Sequence, residues 1–241
     1  MTLVKPYRLV PIEECGEPLI PVPQDSLCVT QPHPYESLGA PYGNQSPFWV
    51  RQAVCDRLLM AQSYLQQHHP GWKILIFDAF RPLAVQQFMV DYTFAQMVQQ
   101  QGLVLEQLTA AQRAEVYAQV YEFWALPDPD PTCPPPHSTG GAVDVTLVDR
   151  TEQWVEMGSA IDEISPRSYP NYFATSQLEA EQAFHQQREV LNQVMTEAGF
   201  MRHPNEWWHF CYGDQLWAWL SHQQNRDRPA IARYGRVMNT S

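Results

Sequence analysis

Long apolar runs, paired cysteines and positive charge are all scarce in this 241-residue chain. No stretch reaches the roughly 18 consecutive apolar residues of a membrane-spanning helix, and the first residues lack the apolar core and cleavage site of a signal peptide. The five cysteines form no C-x-x-C pair, which predicts a reduced, cytoplasmic protein. Lysine and arginine total 15 against 26 acidic residues, and the net charge of −11 argues against nucleic acid or an anionic membrane as a partner.

What the chain does contain is enough apolar material for a large core: 44% hydrophobic residues and eight tryptophans. Apolar periodicity and turn residues predict helices and short strands in alternation. We therefore expect an α+β fold in which helices pack around a small, largely antiparallel sheet. The predicted helices cover residues 47–68, 82–101, 109–124 and 178–198, and the predicted strands cover 72–78, 137–148 and 200–212. Residues 1–48, which are rich in proline, predict an irregular N-terminal segment with one or two short strands.

Two stretches carry candidate metal ligands. The first runs from His137 through a Gly-containing turn into a strand, where Asp144 shares a face with Ala142 and Thr146. A carboxylate on a buried strand needs a partner or a metal. The second stretch, E-W-W-H at residues 206–209, supplies His209. Two histidines and one carboxylate form the three-ligand set of a catalytic zinc, which keeps its fourth position for water. We expect one Zn²⁺ per chain.

Both stretches resemble the zinc D,D-peptidase family (peptidase family M15), which contains the D-alanyl-D-alanine dipeptidases of the VanX type. The resemblance rests on H-x-x-G-x-x-x-D at residues 137–144 and E-x-W-H at 206–209. F-D-A-F-R-P at 77–82, E-M-G-S-A-I-D at 156–162 and S-P-R-S at 165–168 follow the family's order. The resemblance implies one zinc peptidase domain over residues 1–241, with a catalytic core at residues 70–215.

Glu206 is the natural general base, and it must lie in a turn or bulge before the strand of His209 to reach the same site. Arg81 lies at a strand-to-helix junction, since Pro82 suits the first turn of a helix. From residue type alone Arg81 is a surface arginine or a partner of Asp78. The resemblance implies instead that it stabilises the oxyanion of the transition state.

Substrate contacts are implied at three further positions. Asp162 matches the family's aspartate that holds the free amino terminus of the substrate, although a solvated loop acid is the alternative. Tyr35 or Tyr42 is a possible substrate contact, and packing in the core is the alternative for both. Pro135 stands where the family often has serine, which leaves the peptide preference open. The remaining histidines, among them His203, have no predicted role.

The expected function is a zinc dipeptidase that hydrolyses D-alanyl-D-alanine, or a similar small dipeptide, to free amino acids. A D,D- or L,D-carboxypeptidase acting on cell-wall peptides is the alternative within the enzyme class. A catalytically inactive, zinc-containing binding module is the alternative outside it. The presence of Glu206 and Arg81 disfavours that module, because a structural zinc needs neither residue.

Overall fold

The computed structural model describes residues 5–238, which form two small sheets surrounded by helices. The strands are β1 (Leu19–Pro21), β2 (Cys28–Val29), β3 (Trp49–Arg51), β4 (Lys73–Asp78), β5 (Ala142–Val148), β6 (Met201–Arg202) and β7 (His209–Cys211). The helices are α1 (Pro34–Ser37), α2 (Gln52–His68), α3 (Leu83–Gln100), α4 (Ala110–Phe123), α5 (Glu179–Glu197) and α6 (Gln215–Gln224).

The main sheet has five strands in the order β2-β4-β5-β7-β6. Only β2 and β4 pair in parallel, and the other three pairings are antiparallel. The predicted α+β fold with a largely antiparallel sheet is therefore confirmed. β1 and β3 form a separate antiparallel pair, so the helix predicted from residue 47 begins later, at Gln52. Residues 52–68 form the predicted helix, but the residues just before it, 49–51, pair with β1 as a strand.

The central strand, β5, is buried along its whole length. Its apolar face, formed by Val143, Val145 and Leu147, packs in a core that also receives side chains from α2 and α5. Each fully buried aliphatic side chain contributes roughly 1.5–3 kcal/mol to the free energy of unfolding. The opposite face carries Asp144. Burial of both faces holds β5 rigidly in place, and this rigidity fixes the position of the carboxylate.

The register of the main sheet brings three polar residues side by side. Asp144 of β5 is paired with Asp78 of β4 on one side and with His209 of β7 on the other. Residues directly opposite one another on neighbouring strands project to the same face of a sheet. The polar face of the sheet therefore presents Asp78, Asp144 and His209 as one row.

A segment near the start of the chain meets one near its end. Ile12 pairs with Ala232 in an isolated parallel bridge, and Tyr234 is completely buried.

The helix predicted from residue 109 is present as α4, with Thr109 as its N-cap in a capping box with Gln112. α6 and the segment after it were not predicted. Among residues 5–238, we find no helix with the length and apolar character that crossing a bilayer requires.

Candidate metal and substrate site

Three side chains converge at the polar face of the sheet with their ligand atoms in van der Waals contact. His137 Nε2 lies 3.2 Å from Asp144 Oδ2 and 3.2 Å from His209 Nδ1, and Asp144 Oδ1 lies 3.0 Å from His209 Nδ1. Each of the three residues is at most 5% exposed. Ligands of a tetrahedral zinc with bonds of about 2.0–2.1 Å are roughly 3.3 Å apart. The spacing of the donor atoms therefore fits a tetrahedral zinc with only a small outward adjustment.

The orientation of His137 also fits a metal ligand. His137 lies in the short 3₁₀ turn Pro136–Thr139, and Gly140 reverses the chain with a φ of +73°. A Cβ at position 140 would collide with the side chain of Leu19. His137 Nδ1 lies 2.7 Å from the carbonyl oxygen of Ala79 and donates to it, which leaves the Nε2 lone pair free to face Asp144. A histidine ligand usually donates its second N–H in this way.

His209 completes the set from β7. Its Nδ1 faces the other two ligand atoms, whereas its Nε2 is buried without a hydrogen-bond partner among residues 5–238. Burial alone would raise the pKa of Asp144, but His137 and His209 hold it below its usual range. Asp144 is thus ionised, as a metal ligand must be. The three predicted ligands are brought together by the structure.

Asp78 forms a fully buried anchor beside this triad. It accepts hydrogen bonds from Arg81 Nε at 3.0 Å and Nη2 at 2.8 Å, and from the Tyr42 hydroxyl at 3.0 Å. His33 Nε2 lies 3.1 Å from the same carboxylate. Burial by itself would raise the pKa of Asp78, but Arg81 and His33 hold it below its usual range. Asp78 is therefore ionised and holds the guanidinium group of Arg81 in place.

Arg81 lies at the junction between β4 and α3, where the sequence predicts it. Its Nη1 donates to Gln86 Oε1 at 2.9 Å, and the ring of Trp124 lies 5.0 Å from its Cζ. Nη2 also lies 3.3 Å from Asp144 Oδ2 and 3.4 Å from the Tyr35 hydroxyl, both long contacts. A guanidinium has five N–H donors. Arg81 is buried and pairs with Asp78, so the interpretation as a surface arginine is wrong, while Nη2 also faces the metal ligand Asp144. Its role in stabilising an oxyanion stays a prediction.

Glu206 lies in the predicted break before β7. Its backbone N–H donates to the carbonyl of His203 at 3.4 Å, and its carboxylate lies 3.9 Å from His209 Nδ1. Burial raises the pKa of Glu206 well above its usual value, and the charge of Asp144 raises it further. A carboxylate beside the metal ligands is placed to accept a proton and return it.

His203 has no role in the predicted site, yet its side chain lies in it. Its Nδ1 accepts from the backbone N–H of Asn205 at 3.2 Å and lies 3.6 Å from Glu206 Oε1. Burial lowers the pKa of His203 well below its usual value, and the neighbouring His209 adds to this effect. His203 is therefore a neutral imidazole that packs against Glu206. Its position three residues before Glu206, across a Pro-containing turn, is the only sequence signal that points to it.

Asp162 lies on the long loop between β5 and α5, and its carboxylate reaches the site. Asp162 Oδ2 accepts from the Tyr35 hydroxyl at 2.7 Å. Burial and then the charge of Asp144 raise the pKa of Asp162 to about 7. The backbone of Asp162 has a φ of +64°, a left-handed conformation that costs a non-glycine residue about 1 kcal/mol or more. Tyr42, the other tyrosine considered, donates to Asp78 instead, and neither tyrosine is among the residues found to line the cavity.

Arg188 of α5, a residue missed at the sequence level, holds the loop that carries Asp162. Its side chain is completely buried. It donates to three carbonyls and one hydroxyl: Met157 O (2.7 Å), Arg167 O (2.9 Å), Tyr169 O (3.0 Å) and Ser159 Oγ (3.1 Å). The indole N–H of Trp207 donates to the same hydroxyl at 2.9 Å. One guanidinium therefore ties the loop to the segment that contains Glu206.

The three metal ligands, Arg81, Asp162, His203 and Glu206 line one cavity. It is lined by Lys5, Tyr7, Arg81, Phe123, Trp124, Ala125, Pro136, His137, Asp144, Asp162, His203, Glu206, Trp208 and His209. Acidic and basic side chains thus face the same cavity as the metal ligands. A two-histidine, one-carboxylate triad beside a glutamate and an arginine is typical of a metallohydrolase.

Comparison with known proteins identifies the family. The family model described as D-ala-D-ala dipeptidase (Peptidase_M15) matches residues 29–228, and this chain belongs to that family. A D-alanyl-D-alanine dipeptidase from Synechocystis sp. is 49% identical over 98% of both chains. One from Escherichia coli is 36% identical over 39% of this chain and 48% of its own. Among solved structures, the LD-carboxypeptidase LdcB aligns with a TM-score of 0.46 and 14% identity, over 89% of this chain and 75% of LdcB.

Proposed function

We propose that this protein is a zinc-dependent dipeptidase that hydrolyses D-alanyl-D-alanine to two molecules of D-alanine. The observation that carries the proposal is the convergence of His137, Asp144 and His209 in one cavity with Glu206 and Arg81. The name and high identity of the Synechocystis relative support the choice of substrate. All five cysteines are unpaired, which fits a reducing compartment such as the cytoplasm.

His137, Asp144 and His209 would hold the zinc. A zinc bound there supplies Lewis acidity and lowers the pKa of a water molecule to near 7. Glu206 accepts the proton of the attacking water and then delivers it to the nitrogen of the leaving amino acid. The raised pKa of Glu206 suits both transfers, because a group that is too acidic returns a proton poorly. Trp208 lines the cavity and limits the access of bulk water.

Arg81 stabilises the negative charge that develops on the carbonyl oxygen of the scissile bond. Its guanidinium stays ionised at any working pH, and Asp78 fixes its orientation from the side away from the cavity. A donor that is fixed before the reaction needs no reorganisation in the transition state. Asp78, with Tyr42 behind it, therefore acts as a positioning residue for Arg81.

Asp162 binds the free ammonium group of the substrate, with Tyr35 holding the carboxylate in place. Pairing an ammonium with Asp162 explains why an acidic residue occupies a strained, left-handed position at the edge of the cavity. A peptide whose amino terminus is acylated offers no positive charge to Asp162. We therefore expect a free dipeptide to be preferred over a longer or acylated peptide.

The test compares three substrates at equal concentration with the zinc-loaded protein: D-Ala-D-Ala, L-Ala-L-Ala and N-acetyl-D-Ala-D-Ala. Release of free alanine is measured. We expect rapid hydrolysis of D-Ala-D-Ala and little hydrolysis of the other two. Faster hydrolysis of the acylated peptide would instead indicate a carboxypeptidase, and no hydrolysis of any peptide would indicate a binding module.

A further inference from the structure

A second cation faces the cavity besides Arg81. The chain has only two lysines, Lys5 and Lys73, and Lys5 lines the cavity together with Glu206 and the metal-ligand triad. The cavity therefore contains three carboxylates, from Asp144, Asp162 and Glu206, and two basic side chains. No step of the proposed reaction uses Lys5.

The two cations differ in how they are paired. Arg81 donates two hydrogen bonds to Asp78. Lys5, by contrast, takes part in none of the ion pairs found among residues 5–238, and the carboxylate of Glu206 is instead close to His203 and His209. Burial lowers the pKa of Lys5, while the charge of Glu206 opposes that shift. A partly buried ammonium without a close partner is costly unless an anion can join it.

Lys5 and Asp162 lie on different sides of the cavity, because each also borders a different neighbouring cavity. Asp162 also borders a neighbouring cavity together with Phe77, Met89 and Ile164. Lys5 borders another one together with Arg8, Pro134 and Asn205, and Asp162 is not among the residues found to line it. The three metal ligands line the central cavity and are not among the residues found to line either neighbouring one.

A free dipeptide carries opposite charges at its two ends, and these ends match the two sides of the cavity. We propose that Lys5 binds the terminal carboxylate of the substrate and makes a free carboxylate a requirement for tight binding. With its ammonium group at Asp162, a dipeptide places its carboxylate beyond the scissile bond, on the Lys5 side. This assignment rests on the proposed function, and it adds a specificity-determining residue that lies 132 positions before the first metal ligand, His137.

The experiment uses Lys5→Met and two substrates, D-Ala-D-Ala and D-Ala-D-Ala amide, which lacks the negative charge. A charge-assisted hydrogen bond corresponds to roughly a 10- to 100-fold change in binding. We expect Lys5→Met to raise KM for D-Ala-D-Ala by that factor with little change in kcat, and to leave KM for the amide nearly unchanged. Lys5→Arg should restore much of the loss, and Lys73→Met, on β4, should behave as the wild type.

Three results would overturn the assignment. Equal loss on both substrates, carried by kcat, would show that Lys5 acts through Glu206 and not on the carboxylate. Unchanged kinetics of Lys5→Met, together with normal hydrolysis by the wild type, would remove Lys5 from the site and leave the proposed function intact. Absence of D-Ala-D-Ala hydrolysis by the wild type would instead refute the proposed function, and this inference with it. Melting temperatures of all variants confirm that each is folded.

Discussion

Replacement of Arg81 by lysine keeps a positive charge at the junction between β4 and α3 but removes the planar fork of donors. Arg81 Nε and Nη2 donate hydrogen bonds of 3.0 and 2.8 Å to the carboxylate of the fully buried Asp78. A lysine ammonium that reaches Asp78 cannot also reproduce the donor that faces Asp144. The structure therefore predicts that stability and activity fall together in Arg81→Lys.

The expected size of each loss follows from these contacts. One lost charge-assisted hydrogen bond to Asp78 is worth about 1.5–3 kcal/mol, which corresponds to a melting temperature lower by roughly 3–12 °C in a chain of this length. His33 and Tyr42 still contact Asp78, so the variant should remain folded. Loss of one oxyanion donor lowers kcat by roughly 10²- to 10³-fold.

Steady-state kinetics with D-Ala-D-Ala and a melting curve on the same preparation measure both effects. Zinc content should match the wild type, because Arg81 is not a ligand. The exposed Arg226, which contacts only Gln223 in the hydrogen bonds found among residues 5–238, gives the control variant Arg226→Lys. A kcat within about threefold of the wild type, combined with a lower melting temperature, would assign Arg81 to Asp78 alone and remove it from the mechanism.

Three further predictions concern Glu206, Asp162 and Arg188. Glu206→Gln should keep its zinc and lose roughly 10²- to 10⁴-fold in kcat; loss of zinc, measured by elemental analysis, would make Glu206 a ligand instead. Asp162 has a pKa raised to about 7 and loses its negative charge as the pH falls through its pKa, so KM for D-Ala-D-Ala should rise on the acid side. Asp162→Asn should raise KM at neutral pH and abolish that rise; an unchanged rise on the acid side would contradict this role. Arg188→Met leaves the carbonyls of Met157, Arg167 and Tyr169 without this donor and should destabilise the protein in urea unfolding by about 1–3 kcal/mol for each carbonyl that stays buried and unpaired. Arg202→Met, which breaks a partly exposed pair with Glu189, should cost less than about 1 kcal/mol.

The parts of the site that depend on local pattern could be predicted from the sequence. Alternation along β5 places Asp144 opposite the apolar core residues, because successive side chains of a strand point to opposite faces. Pro82 places Arg81 at the end of β4. On a regular strand, the side chains of Glu206 and His209 would point to opposite faces of the sheet. The sequence therefore required a turn before β7, and the structure has one there.

The parts that depend on distant chain segments meeting could not be predicted in this way. Lys5 and His33 reach the site from the N-terminal segment, and no periodicity connects them with Asp78 or Glu206. Arg188 has the spacing of an ordinary residue on an amphipathic helix, and only its burial against the loop that carries Asp162 reveals its function. Tertiary packing, which a local pattern does not encode, determines these contacts.

The zinc content of the purified protein tests most directly whether His137, Asp144 and His209 hold one zinc ion. Elemental analysis after dialysis should give one zinc per chain for the wild type and for His68→Ala, which changes an exposed histidine at the end of α2. His209→Ala should retain little zinc, because only two of the three ligands remain. Equal zinc content in the wild type and His209→Ala would contradict the assignment of the metal site.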